Sequence, residues 1–195
     1  MKNVIIIGSL LVFTATTAFA HDEVAFSEPA KFIVHKTSKA QREENRLIRR
    51  EKLATTPNYS TEQHFMIDYP DATNVSWNRA GYEEASFTLN GKDMKAFYDY
   101  NNELIGTTTM ASYADIPANA QKEIEKFYKD YTPQSVVLFD DNEYNDSDMI
   151  LYGHAFEDAD NYFVELTNNT KTIVLQVNKE GLVSFFKDIS YSNVK

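Results

Sequence analysis

The residues of this 195-residue chain that could do chemistry are few, and they are scattered. There is no cysteine, which removes thiolate nucleophiles, thiolate metal sites and disulfides together. Four histidines, His21, His35, His64 and His154, are available as bases or metal ligands, and none stands in a recognisable motif. No Gly-x-Ser-x-Gly elbow offers an activated serine beside a base. The run "DDNEYNDSD" at 140–148 gathers acids and amides of the kind calcium binds. It lacks the order of an EF-hand loop and has no glycine at the turn, so a solvated acidic loop is expected there. A pair of glycosidase carboxylates cannot be chosen from so many acids without distances. His21 would chelate copper as a free N-terminus only with a second histidine nearby in space. The expectation is therefore a protein with no catalytic residues, no metal ligands and no cofactor, and not an enzyme.

The elements that would carry any site begin after a leader. "VIIIGSLLVFTATTAFA", behind Lys2, is an apolar run closing on the small-x-small step Ala18-Phe19-Ala20. It is too short to span a membrane comfortably and has no basic flank after it, so residues 1–20 read as a signal peptide. The expected product is periplasmic or secreted, with no membrane span once the signal is cleaved.

Charge then divides the rest. Residues 21–57 carry eight Lys/Arg against six Asp/Glu, and residues 58–195 carry ten against twenty-three, a net of −13. Such a body repels the phosphates of nucleic acid and favours basic partners. The segment 21–57 reads as an N-terminal arm or linker. Its second part, "SKAQREENRLIRREKLA", is rich in strong helix formers with few apolar side chains.

Residues 58–195 read as an α+β domain. "STEQHFMIDY" has a capping-box start at Ser60 and Gln63 and must stop before Pro70. Strand-like "TNVSW", "YEEASFTLN", "KDMKAFYDY" and "LIGTTTMAS" follow, with Asn90-Gly91 as a hairpin turn. A second helix starts at Pro117, with Ile116, Ala120, Ile124, Phe127 and Tyr131 on one stripe. Then come "QSVVLF", "DMILYGHAF", "NYFVELTN", "KTIVLQVN" and "LVSFFKDIS", each read as one strand. Asp68-Tyr69 and Asp130-Tyr131 end the two helices alike. The two halves align with about 15 extra residues in the second, the length of a loop and a strand. The expected architecture is two tandem helix-plus-antiparallel-meander repeats, 58–112 and 113–195, forming one curved sheet with helices on one face.

"FMIDYPDATNVSW", "ASFTLNGKDMKAFYDYNNELIGTT" and "IPANAQKEIEKFY" taken in order resemble the PepSY-like proteins described as β-lactamase-inhibitor-like. The resemblance covers about 56–187; Phe139 stands where the second copy should have a Trp, and the second copy has an extra hairpin. It implies helices on one face of a continuous sheet and an open opposite face that binds proteins, in modules that inhibit or chaperone secreted hydrolases.

Composition adds an independent argument. Aromatic residues make up 13% of the chain with a single Trp, so strand tyrosines must supply much of any contact surface. Trp77, Tyr82, Tyr98, Tyr100, Tyr152 and Tyr162 are the candidate partner-binding residues on the sheet face. The expected function is an exported, non-catalytic module that binds an unknown exported protein. A small-ligand or calcium-binding envelope protein is the alternative.

Overall fold

The computed structural model describes residues 38–79 and 81–190. These belong to one compact unit, Ser38–Lys195; a separate unit, Met1–Thr37, lies outside the described residues. The segments expected to be a signal peptide and the first part of an arm therefore fall outside them.

The first element is a helix, α1, Lys39–Thr55, capped where the Ser38 side chain accepts the Gln41 N–H at 3.2 Å. None of its residues is buried, so strong intrinsic helix formers, and not a packed face, maintain it. Its C-terminal end is tied down by Arg79, whose N–H donates to the Ala54 carbonyl at 2.9 Å. The Arg79 guanidinium pairs with Glu83 at 2.7 Å, and the other Glu83 oxygen accepts the Asn58 N–H at 2.9 Å.

The next helix, α2, spans Tyr59–Asp68. Asn58 caps it by accepting the Ser60 N–H at 3.2 Å, two residues ahead of the Ser60 cap expected from the sequence. Thr61 and Phe65 are its buried residues, and the helix stops before Pro70 as proline sterics require. Four strands follow: β1, Thr73–Asn78; β2, Glu83–Leu89; β3, Lys92–Tyr98; and β4, Leu104–Ala111. Asn90 and Gly91 have φ of 52° and 76°, the turn expected between β2 and β3.

A 3-10 turn at Tyr113–Asp115 leads to α3, Ala118–Phe127. Pro117 is the residue preceding this helix and not its first turn, and Ala120 and Ile124 are buried. The remaining strands are β5, Thr132–Asp141; β6, Met149–Leu151; β7, His154–Phe156; β8, Asn161–Thr167; β9, Thr172–Asn178; and β10, Val183–Asp188.

Eight of these strands form one antiparallel sheet in the order β1-β2-β3-β4-β5-β8-β9-β10. The β4–β5 ladder, with Ala111 opposite Val136 and Thr108 opposite Phe139, unites the two halves of the sheet.

The register assigns every side chain a face, because strand residues alternate. Ala85, Phe87, Ala96 and Tyr98 pack under α2 together with Phe65. Val136, Val164, Leu166, Ile173, Leu175 and Val177 pack under Ile116, Ala120 and Ile124. The cross-strand partners place both groups on one face, so α2 and α3 lie on the same side. Each fully buried Phe or Leu here contributes about 1.5–3 kcal/mol through its removal from water.

The opposite face departs from expectation. "DMILYGHAF" is not one strand: Tyr152 and Gly153, with φ of 52° and 68°, turn it into the two-stranded hairpin β6–β7. This hairpin does not join the main sheet. It folds over the helix-free side, where Met149 and Phe156 pack on Phe139, Phe163, Val174 and Phe186. A wide apolar sheet surface in the second half is thereby covered by the inserted residues.

Candidate functional site: a half-open groove on the sheet

In the first half the face opposite α2 and α3 is left open by the described residues. Glu84 and Ser86 of β2, Lys95 and Phe97 of β3, Thr108 and Met110 of β4 and Val137 of β5 form its floor. Tyr82, Tyr100 and the hairpin residues Ile150, Leu151 and Tyr152 line it as well. The enclosed groove measures about 1040 Å³. That is the upper end of the range for small-molecule sites, and the shape is an open trough.

Its apolar content is exposed. Met110 is 64% accessible and Ile150 49%, both on the groove side. The polar floor is internally paired: Lys95 Nζ meets Glu84 Oε1 at 2.7 Å, and Thr88 donates to Asp93 at 2.9 Å. Among the described residues no His lines the groove, and Ser86 Oγ donates at 3.5 Å to the Glu84 carboxylate, which Lys95 already holds. Nothing in this arrangement resembles a nucleophile with its base and orienting group.

The six aromatic candidates separate by face. Tyr82 rests on Phe97, with ring centroids 6.5 Å apart, and donates to the Asp148 carbonyl at 3.2 Å. Tyr100 is 92% exposed at the rim. Tyr152 donates to Glu165 Oε1 at 2.8 Å, and burial, followed by that carboxylate, raises the pKa of its phenol. These three line the groove.

The other three lie on the helix side. Trp77 sits opposite Ala85 and meets Phe65 edge-on at 5.3 Å. Tyr98 is fully buried beneath α2, and its hydroxyl donates to Asp68 at 3.4 Å. Tyr162 packs beside the α3 core with Lys179 Nζ 5.5 Å above its ring. Alternation alone could not tell which face the helices would take. Met110 and Ile150, absent from the sequence-level candidates, were legible there only as apolar residues of ordinary strands.

The acidic run 140–148 is spent on local structure. Asn142 Nδ2 donates to the Leu104 carbonyl at 2.6 Å, and Asn145 Nδ2 reaches the same carbonyl at 3.2 Å. Among the described residues no three His, Cys, Asp or Glu side chains converge as metal ligands. The amides of this loop anchor it to the end of β4.

Two acids of this run, Asp141 and Glu143, do meet others. Asp141 and Asp158 face one cleft with Glu143, Glu157, Asp160 and Glu180. Burial, then the neighbouring Asp158 carboxyl, pushes the Asp141 carboxyl up to about 7. Asp160 accepts the Asp141 N–H at 2.8 Å and pairs with Lys179 at 3.1 Å.

Among the described residues no helix is long and apolar enough to cross a membrane. No family model matches the chain, and no curated protein matches it. Solved structures do. A DUF2874 family protein from Bacteroides uniformis is 15% identical with a TM-score of 0.58, over 70% of this chain and 93% of that one. A BLIP-like protein from Bacteroides fragilis is 19% identical with a TM-score of 0.54, over 72% and 92%. A protein from Bacteroides eggerthii provisionally described as periplasmic is 16% identical with a TM-score of 0.57, over 69% and 91%. None of these three descriptions mentions PepSY. At such identities the likeness establishes the fold, which this chain shares with DUF2874 and β-lactamase-inhibitor-like structures.

Proposed function

We propose that the chain is an exported, non-catalytic protein-binding module. Its helix-free groove receives a projecting apolar segment of another exported protein, flanked by Lys or Arg. The observation that carries this reading is the exposure of Met110 and Ile150 inside a groove walled by Tyr82, Tyr100 and Tyr152. Large apolar and tyrosine side chains gathered in a concavity mark a binding surface, because solvating them without a partner is costly. The preference for a basic flank follows from charge. Among the described residues Lys95 is the groove's cation and is held by Glu84, which leaves Asp93 with the neutral Thr88 hydroxyl and no counter-charge, on a body of net −13.

The BLIP-like description of the Bacteroides fragilis structure supports a protein partner and an inhibitor-like role, as does the resemblance noted in the sequence. The finer readings belong to the same proposal: a PepSY-like lineage, a chain duplicated as 58–112 and 113–195, and release into the periplasm or medium after cleavage at Ala20. The element order of helix followed by antiparallel strands in each half supports the duplication.

The test is site-specific capture. A photo-crosslinker at Met110 in the full chain, expressed in its native host, should capture a definite exported protein. The purified pair should bind, and Met110→Glu combined with Ile150→Glu should abolish binding. Phe127→Glu, on the exposed helix side, should leave it intact. Equal binding by both variants would remove the groove from the interaction. The groove's volume also favours a small apolar ligand as a second reading, and native mass spectrometry of protein purified from its host would display such a ligand directly.

A further inference from the structure

Two carboxyl oxygens of the second half are shielded from solvent and have no hydrogen-bond partner: Asp141 Oδ1 and Asp158 Oδ1. The two carboxyl groups nevertheless line one cleft, where the Asp158 carboxyl acts on that of Asp141. An ionised carboxylate can only accept, so neither can satisfy the other while both are charged. Two carboxylates that turn shielded oxygens into one cleft resist ionising together. One proton between them satisfies both oxygens at once.

The position of the pair gives that proton a consequence. Asp141 is the last residue of β5, and Asp158 lies two residues beyond β7. Everything between them is the excursion that carries the β6–β7 hairpin, so the pair closes its base. The tip of the same excursion supplies Ile150, Leu151 and Tyr152 to the groove. We propose that a single proton shared by Asp141 and Asp158 locks the base of this hairpin and so holds one wall of the groove in place. The effect on docking rests on the function proposed above; the lock itself does not.

The surroundings leave the proton as the remaining neutraliser. Glu143 from the loop after β5 repels the pair, and Glu157 lies on the same cleft. From the β7–β8 loop, Asp160 accepts the Asp141 N–H. From the β9–β10 turn come Glu180 and Lys179, and Lys179 is already held by Asp160. Asp140, the neighbour of Asp141, alternates onto the other face of the sheet.

The direction of the pH dependence follows from proton affinity. The folded pair binds its proton more tightly than an ordinary carboxyl at 3.8, with Asp141 raised to about 7. The stabilisation is complete below the ordinary value and is lost as pH rises through about 7. Because opening the hairpin base releases one proton in this interval, opening should become about tenfold easier per pH unit between roughly pH 5 and 7.

Hydrogen exchange on the full chain, corrected for the intrinsic pH dependence of exchange, reads this without any partner. Protection of the hairpin amides should fall with that slope and level off above about pH 7, while β8 and β9 stay flat. Asp141→Asn, whose amide can donate to Asp158 in place of the proton, should hold the hairpin at its low-pH protection throughout. A flat wild-type profile, or a variant that keeps the wild-type slope, would overturn the proposal. If Asp141→Asn does not fold, Asp158→Asn carries the same expectation. A carbon-detected titration of the wild type decides independently: a midpoint for Asp141 near 4 refutes the shared proton, and one near 7 supports it. Loss of groove binding in the Met110 and Ile150 variants would leave this pH profile unchanged, so the two readings can fail separately.

Discussion

The two halves of the helix-free face begin from one sheet and end differently. Under the hairpin, Phe139, Phe156, Phe163 and Phe186 meet edge-on at 4.8 to 5.0 Å and are sealed from water. Across the β4–β5 ladder, the same face presents Met110, Lys95 and Thr88 to solvent. The backbone does not impose this contrast, since both halves are antiparallel strands with register shifts in their ladders. The inserted hairpin does: it converts one side into core and, by ending where it does, leaves a step that walls the other. A surface becomes a groove when a neighbour is raised beside it.

That contrast can be broken from the sealed side first. Phe163 is fully buried at the centre of the aromatic cluster, so Phe163→Ala should cost about 3–5 kcal/mol by denaturant unfolding. It should also free the hairpin and erase the groove's wall. The seam comes next. A Cβ on Gly106 would lie 2.6 Å from Phe139 Cζ and 2.7 Å from the Asp140 carbonyl oxygen. Gly106→Ala should therefore cost about 1–3 kcal/mol, because backbone cannot yield as a side-chain tip can. On the open side, Met110→Ser should change stability by no more than about 0.5 kcal/mol while weakening partner capture. A large loss of stability from Met110→Ser would show that the groove floor is core and end the contrast.

Much of the scaffold was legible from local signals. The alternation of Ala85, Phe87 and Leu89, the Asn90-Gly91 turn and the stripe Ile116, Ala120, Ile124 each fix an element without reference to distant residues. The site was only half legible. Tyrosines at alternate positions must divide between faces, but whether Tyr98 or Lys95 meets the helices depends on where α2 docks, a long-range outcome. The turn that splits "DMILYGHAF" into two strands was missed because it uses Tyr152 where Asn or Gly is expected. A bulky residue at positive φ costs about 1–2 kcal/mol, and here the Glu165 hydrogen bond and the packing on Phe163 and Phe186 offset it. A turn signal was thus overwritten by tertiary contacts that no short window of sequence contains.

The order of the strands has a consequence for how the chain acquires its shape. Except for β5 with β8, every ladder joins strands consecutive in the chain. Most loop closures are therefore short, which lowers the entropic barrier that slows many β-rich proteins. The exception skips over the hairpin, so β5 and β8 can zip together before the inserted residues settle, and the groove's wall is the natural last piece to arrive.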